Sequence, residues 1–300
     1  MNNTAAKVLV LANPKSGVRW TLDSLQRAIA EHWEGRGHRV YYEFCHSVED
    51  GLAKAGRAVE ERTDIILVIG GDGTVSTVGR AVMGTDVKLG VIPVGSGNGF
   101  ARHFNIPLDP RRAVAALADA PAQRIDVGTV NGRPFLVTCS MAWDASLVRT
   151  FEKIPMRGVL PYVLAGVQEF FEYKAQGMEF DIDGNETLKL SDPLVCTVAN
   201  LTQYGGGARI APQARPDDGS LELVVALKHD MPKLIANVGR FFDGSISRIP
   251  EVISRRFRDL RVRREREAPI QVDGELEDAP ADIEVHVEPA ALNVLVPESD

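Results

Sequence analysis

Gly70-Gly71-Asp72-Gly73-Thr74 follows the most hydrophobic stretch of the chain, Ile65–Ile69, and opens a segment with helical apolar spacing. Glycines packed this densely cost chain entropy and make sense where a ligand must approach the backbone closely. A turn leading from a strand into a helix presents free N–H groups and the positive end of the helix dipole, which suits phosphate. Asp72 would repel a bare phosphate, so its place here suits a water or Mg2+ that bridges to a nucleotide. The pattern is not the P-loop, because no Gly-Lys-Ser/Thr follows. Gly95-Ser96-Gly97-Asn98-Gly99 reads as a second glycine-rich turn, after Leu89–Ile92 and Pro93-Val94. Two such turns at the carboxyl edge of one sheet make a cradle. Asn13-Pro14-Lys15-Ser16-Gly17 follows the first strand directly and offers further N–H groups, although by itself it reads more simply as an ordinary strand-to-helix turn. Arg102, just past the second glycine turn, reads equally as a phosphate contact or a surface charge.

The second half of the chain offers carboxylates. Asp273 and Glu275 lie two residues apart and share one face if that stretch is extended. On its own, Asp273-Gly274-Glu275 reads as a hairpin turn. Asp217-Asp218-Gly219 reads the same way, and a turn that displays carbonyls and one carboxylate is also a reasonable oxygen cage for Mg2+.

These residues must be positioned by regular elements. Up to about residue 125, strands are expected at 7–12, 39–45, 64–69 and 88–92, alternating with helices at 21–34, 49–62, 74–83 and 110–118. Thr21 or Asp23 and Asp109-Pro110 carry helix-start signals. That rhythm implies a parallel sheet with right-handed crossovers. After Asp126 short strands come close together, at 134–141, 178–182, 187–191, 193–200, 220–226, 258–264, 269–273 and 283–288, with helical insertions at 161–173 and 231–242. A mostly antiparallel β domain is expected there. The expected division is 1–128 for a nucleotide-binding α/β domain and 129–289 for a β-rich domain. The closing apolar run Leu292–Val296 is open to either domain, and segment 290–300 is a candidate to return to the first.

Composition bounds the function. The 300 residues are 44% apolar and 25% charged, enough to bury an ample core without staples. Apolar runs are strand-sized and fall short of the ~20 residues of a membrane-spanning helix. Three distant cysteines and the lack of a secretory pattern fit a reducing cytoplasm. No Cys/His spacing resembles a zinc site, so a metal here would be oxygen-bound. The net charge of −7 argues against general nucleic-acid binding. Arg248 to Arg266 nevertheless holds eight arginines against three acids, which reads as a solvated strand face or as a patch for an anionic membrane. Ile154–Leu164, continuing into Phe170-Phe171, reads as core cover or as an acyl-chain groove.

The three turns, in this order and spacing, resemble the diacylglycerol kinase catalytic-domain family, which includes soluble bacterial lipid kinases and sphingosine kinases. The resemblance continues through Tyr204-Gly205-Gly206-Gly207, Ala211-Pro212, Asp217-Asp218-Gly219 and Asp273-Gly274-Glu275, and spans nearly the whole chain. It implies an α/β nucleotide-binding domain of the NAD-kinase and phosphofructokinase type, followed by an antiparallel β-sandwich. It further implies that Asn13, Pro14, Lys15, Ser16, Gly17, Gly70, Gly71, Asp72, Gly73, Thr74, Val75, Ser76, Ser96, Gly97 and Asn98 line an ATP site. Asp218, with the backbone carbonyls of Arg215 and Ser220, would ligate a structural Mg2+, and Asp126 would join a water-linked Mg2+ network. Glu275 would be the proton acceptor, with Asp273 its orienting or metal-linked partner.

Many family members carry Asp where this chain has Gly99, so the acidic network loses a member. The wording of this turn looks more like sphingosine kinases. The expected reaction is phosphorylation of diacylglycerol by ATP and Mg2+, with a sphingoid base, phosphatidylglycerol or NAD as alternative acceptors and a non-catalytic regulator as a further alternative. The expected partner is a membrane lipid, reached from the cytoplasm through transient peripheral contact, by a monomer or homodimer and without nucleic acid.

Overall fold

The computed structural model describes residues 5–16, 22–143, 145 and 173–298. Gly17, Thr21, residues 161–172 of the expected helix 161–173 and the apolar stretch Ile154–Phe171 lie outside them. The chain forms two compact units. The first comprises Met1–Val127, Gln203–Gly207 and Pro289–Asp300; the second comprises Gly128–Thr202 and Ala208–Glu288.

In the first unit, strands β1 (Lys7–Ala12), β2 (Arg39–Phe44), β3 (Ile65–Gly70) and β4 (Lys88–Pro93) lie parallel in the order β2-β1-β3-β4. Every residue of β3 is buried, as expected for an interior strand covered on both faces. The register aligns Ala12 with Ile69 and Gly70 with Pro93, so all three chemistry-bearing turns leave the same sheet edge.

Helices α1 (Leu22–His32), α2 (Val48–Glu60), α3 (Asp72–Val82), α4 (Gly99–His103) and α5 (Pro110–Ala118) connect and cover the strands. Ser47 caps α2 by accepting from the Asp50 N–H. Asp109 caps α5 by accepting from Arg111 and Arg112, with Pro110 at the first helical position. Leu25, Ile29 and Trp33 sit in the core with Val8, Val10, Leu67 and Val114. The Trp33 indole N–H is satisfied by the Val114 carbonyl at 3.1 Å.

Strand β5 (Ala122–Val130) was not expected, because Gln123, Arg124 and Asp126 interrupt its apolar pattern. Asp126 is nonetheless 3% exposed; its Oδ1 accepts the Ala290 N–H at 2.8 Å.

The second unit is an antiparallel β-sandwich. Its strands are β6 (Arg133–Phe135), β7 (Thr138–Ser140), β8 (Met178–Ile182), β9 (Glu186–Leu190), β10 (Pro193–Ala199), β12 (Ala208–Arg209), β13 (Leu221–Leu227), β14 (Val252–Phe257), β15 (Asp259–Arg264), β16 (Ala268–Val272) and β17 (Glu275–Ala279), with β11 (Gln203–Gly205) contributed to the first unit. One layer runs β14-β13-β10-β7-β16-β17. The other runs β9-β8-β15 and then β18 (Asp282–Leu295). Phe135, Phe180, Val198, Leu223, Phe257, Val262 and Val285 fill the space between layers. Past Ala290, at φ 50, β18 enters the first unit, where Asn293 and Val294 pair parallel with Lys88 and Leu89.

Two expectations are corrected. The single strand 134–141 is two strands, because the Asp273 carboxylate takes the N–H groups of Leu136 and Val137 out of any ladder. The single helix 231–242 is α6 (Met231–Ala236) and α7 (Arg240–Asp243), because the Asn237 side chain closes back on the Lys233 carbonyl and Gly239 follows. Within the arginine-rich run the neighbours differ from one arginine to the next. Arg255 meets Glu186, Arg256 meets Asp218 and Arg261 meets Glu284, while Arg264 is buried against three backbone carbonyls. Among the described residues no helix is long and apolar enough to cross a membrane, and all three cysteines are buried thiols outside any disulfide.

Candidate active site

The three turns of the first unit are tied together through their backbones. The Asn13 N–H donates to the Ile69 carbonyl, and its side-chain amide donates to Thr74 Oγ1 at 3.0 Å, joining the first turn to the start of α3. The Lys15 N–H closes on Asn13 Oδ1. Pro14 and Ser16 complete this turn; Gly70, Val75 and Ser76 flank the next.

Gly70 is needed because a Cβ there would lie 2.6 Å from the Thr74 side chain. A Cβ on Gly95 would lie 2.6 Å from Gly71 Cα, so the two glycine turns meet backbone to backbone. Nothing lies within 4 Å of the place a Gly73 Cβ would take, which leaves open space beside the amino end of α3.

Asp72 is the clamp between these turns. Its Oδ2 accepts the Gly99 N–H and its Oδ1 accepts the Phe100 N–H, both at 3.0 Å, which caps α4 from another loop. The expected water or metal contact therefore shares this carboxylate with two amides. Arg102 also fastens the loop, donating from Nε to the Gly97 carbonyl. Asn98 takes the left-handed conformation at φ 49, which Asn tolerates, and its side chain donates to the Gly95 carbonyl. Its buried Oδ1 has no partner, so it suits a donor on a bound nucleotide. Ser96 lies exposed in the same turn.

A further element completes this side. Gly205 and Gly206 lie on the second turn, with the Gly206 N–H donating to the Gly97 carbonyl at 3.1 Å. Both glycines have positive φ. A Cβ on Gly99 would stand 3.2 Å from the Gly205 nitrogen, so any side chain at that position pushes on this strap. The close approach of the strap accounts physically for Gly99.

In the second unit, Asp273 and Glu275 flank Gly274 in the turn from β16 to β17. Their hydrogen-bond partners differ. Asp273 is 7% exposed and at φ 48, and its oxygens accept the N–H groups of Leu136, Val137 and Thr138 at 2.7–3.1 Å. It holds this hairpin to the 136–138 segment. Glu275 instead shares Arg133 with Glu277: the guanidinium reaches Glu275 through Nη2 and Glu277 through Nη1. Arg133 carried no motif signal. Its signal is positional, since Glu275 and Glu277 are two apart on a strand and so present both carboxylates to one fork.

Asp218 lies in the turn before β13, with Arg256 ion-paired to Oδ2 and Oδ1 buried without a partner. An orphaned carboxylate oxygen is a hard donor that fits Mg2+, and Arg215 and Ser220 belong to the same loop before β13. Among the described residues no three His, Cys, Asp or Glu side chains converge on a metal position, so the carbonyls are essential to such a site.

The diacylglycerol kinase catalytic domain matches residues 7–130, and the YegS C-terminal NAD kinase beta sandwich-like domain matches residues 138–296. A diacylglycerol kinase of Mycobacterium tuberculosis (strain ATCC 25618 / H37Rv) is 30% identical over 97% of this chain and 95% of its own length. The chain belongs to the diacylglycerol kinase family. A Staphylococcus aureus (strain JH9) diacylglycerol kinase is 26% identical over 96% of this chain and 93% of its own. The crystal structure of a diacylglycerol kinase from Bacillus anthracis str. Sterne has the same fold, with a TM-score of 0.75 at 18% identity over 97% of each chain.

Within the diacylglycerol kinase fold, the residues divide by what they touch here. Asn13, Gly71, Gly73 and Asn98 shape the turns at the sheet edge, and Asp72, Arg102 and Gly206 hold those turns together. Asp126 pins the bend of β18, so it too has a structural bond to the backbone.

Proposed function

We propose that this protein transfers the γ-phosphoryl group of ATP to a hydroxyl of diacylglycerol. The observation that carries the reading is the Asp72 clamp. It locks two glycine turns of one sheet edge against each other and leaves open space at the amino end of α3. Backbone N–H groups at such an end favour the phosphates of a nucleotide. Asn13, Lys15 and Ser16 stand at the neighbouring strand end and belong to the same cradle.

Glu275 is the group that receives the proton of the acceptor hydroxyl, and Arg133 holds that carboxylate in one orientation. Asp218 and the carbonyls of Arg215 and Ser220 would hold Mg2+. Magnesium, when bound, supplies positive charge that neutralises oxygen donors. Asp273 acts through the hairpin it fixes. The acceptor is a membrane lipid, reached by peripheral contact from the cytoplasm.

The test is incubation with labelled ATP, Mg2+ and, in separate arms, diacylglycerol, a sphingoid base or phosphatidylglycerol in mixed micelles, or NAD in solution. Label is expected in diacylglycerol. Label confined to NADP, or ATP binding with no transfer in any arm, would sink the proposal. Glu275→Gln is expected to lower turnover by about 100-fold or more while sparing ATP binding.

A further inference from the structure

The described residues include six large apolar side chains that stand exposed, and the three most exposed fall in one short segment: Ile235 at 65%, Val238 at 55% and Phe242 at 59%. The backbone from α6 to α7 stays helically wound. The Val238 N–H donates to the Ile235 carbonyl, and the Phe241 and Phe242 N–H groups donate to Val238 and Gly239. Three-residue turns bridge the two helices, and the three exposed side chains fall within residues 235–242. Leu234, Ile246 and Ile249 turn inward and anchor the segment, so the outward apolar residues are surplus to the core. A soluble surface rarely gathers such residues without a partner.

The charge beside them has one dominant sign. Asp243 is held below the usual carboxylate range by hydrogen bonds from Ser245, and Arg240 and Arg248 both act on it electrostatically. Arg209 lies against Gly244, where an added Cβ would sit 3.2 Å from its Nη1. Two guanidiniums thus act on one carboxylate at the Phe242 end, a third lies beside Gly244, and that carboxylate is already occupied by Ser245. Lys233, at the other end, is taken up by Asp230 and Glu251.

We propose that Ile235, Val238 and Phe242, with Arg209, Arg240 and Arg248 beside them, form the face by which the second unit docks on an anionic lipid bilayer. The inference rests on the reading of a membrane lipid as acceptor and names the surface that reaches it. Apolar side chains flanked by arginine match both layers of such a target. Each basic residue near an anionic surface strengthens binding roughly fivefold, and each large apolar side chain that leaves water adds about tenfold or more.

The test uses the full chain and a triple variant, Ile235→Ser, Val238→Ser and Phe242→Ser, at positions already in water. Flotation is measured with phosphatidylcholine vesicles and with vesicles that also contain phosphatidylglycerol. Phosphorylation is measured on long-chain diacylglycerol in those vesicles and on dispersed short-chain diacylglycerol. The wild type is expected to prefer the anionic vesicles. The variant is expected to lose at least about tenfold in flotation and in vesicle turnover, with its short-chain rate unchanged.

Arg240→Glu with Arg248→Glu should remove the preference for anionic vesicles. Flotation of the triple variant equal to wild type would overturn the docking face even if the kinase reaction is intact. So would sedimentation showing that the face instead joins two copies, which the variant separates. Loss of flotation in a protein that phosphorylates no lipid would support the face and remove the kinase reading.

Discussion

Asp72 and Asp273 share a chemistry that their motifs conceal. Each is a carboxylate in a glycine-rich turn, and each spends its oxygens on backbone N–H groups of another segment. Removing a buried acceptor strands its donors at about 1–3 kcal/mol for each unsatisfied group. Asp273→Ala is therefore expected to destabilise the second unit by roughly 3–5 kcal/mol, the scale of breaking a buried charged pairing, as measured by urea unfolding. A residue that only oriented Glu275 would leave the midpoint in place.

Asp72→Asn keeps one acceptor oxygen and turns the other into a donor that faces an N–H. It should lower stability by about 1–3 kcal/mol even without nucleotide, whereas a purely metal-binding Asp72 would change only the Mg2+ dependence of activity. The glycines themselves were readable in the sequence because their cost demands a reason. Their reason was half visible: closeness to a ligand was inferred, but the closeness of Gly71 to Gly95 and of Gly99 to Gly205 depends on segments far apart in the chain. Arg133 was invisible for the same cause, since nothing local marks it as the partner of Glu275.

At the level of elements, the parallel strands were legible because β1, β3 and β4 are continuous apolar runs bounded by turn residues. β5 was not, because the buried Asp126 in its middle satisfies a bend in β18 rather than an alternation rule. A separate junction lies where the turn after β13 meets the loop before β10. There His229 Nδ1 and Asp192 Oδ2 are 2.9 Å apart.

The hydrogen bond to Asp192 raises the His229 pKa above its ordinary value. Burial opposes ionisation of Asp192, but its bond to His229 prevails and holds it below the usual carboxylate range. The histidine's contribution is full below its unfolded pKa and is lost as pH rises through the raised one. The aspartate's contribution is full above its unfolded pKa and is lost as pH falls through the lowered one. The clasp is thus strongest at mildly acidic pH. His229→Gln should lower the melting temperature at about pH 5.5 and leave it unchanged at about pH 9, a range set by the ordinary histidine pKa. An equal loss at both values would show that packing, not charge, joins the two loops.

At the level of the whole molecule, the chain passes between units four times, because 203–207 and the segment from Pro289 belong with the first 127 residues. The sequence rhythm suggested a break near residue 128, and it left the closing apolar run open to either half. In the structure Leu292, Val294 and Leu295 are buried, and Val294 is paired with Leu89. Their burial is worth roughly 1.5–3 kcal/mol for each side chain, a large share of the ~5–15 kcal/mol that holds a typical domain together. A fragment ending at residue 130 should therefore lack a cooperative thermal transition, and linking 289–298 back to it should restore one. Cooperative melting of the bare fragment would show that the returning strand is dispensable.

The strap at Gly205 and Gly206 has a practical consequence for anyone grafting acceptor preference from one relative to another. A chimera that exchanges everything after residue 130 also imports a foreign piece of the proposed nucleotide cradle. The incoming strap must fit the resident Gly97 and Gly99 to within a few tenths of an ångström, the tolerance left where a Cβ would already be crowded. Hybrids should fail first in nucleotide affinity, and restoring the native 203–207 should recover them.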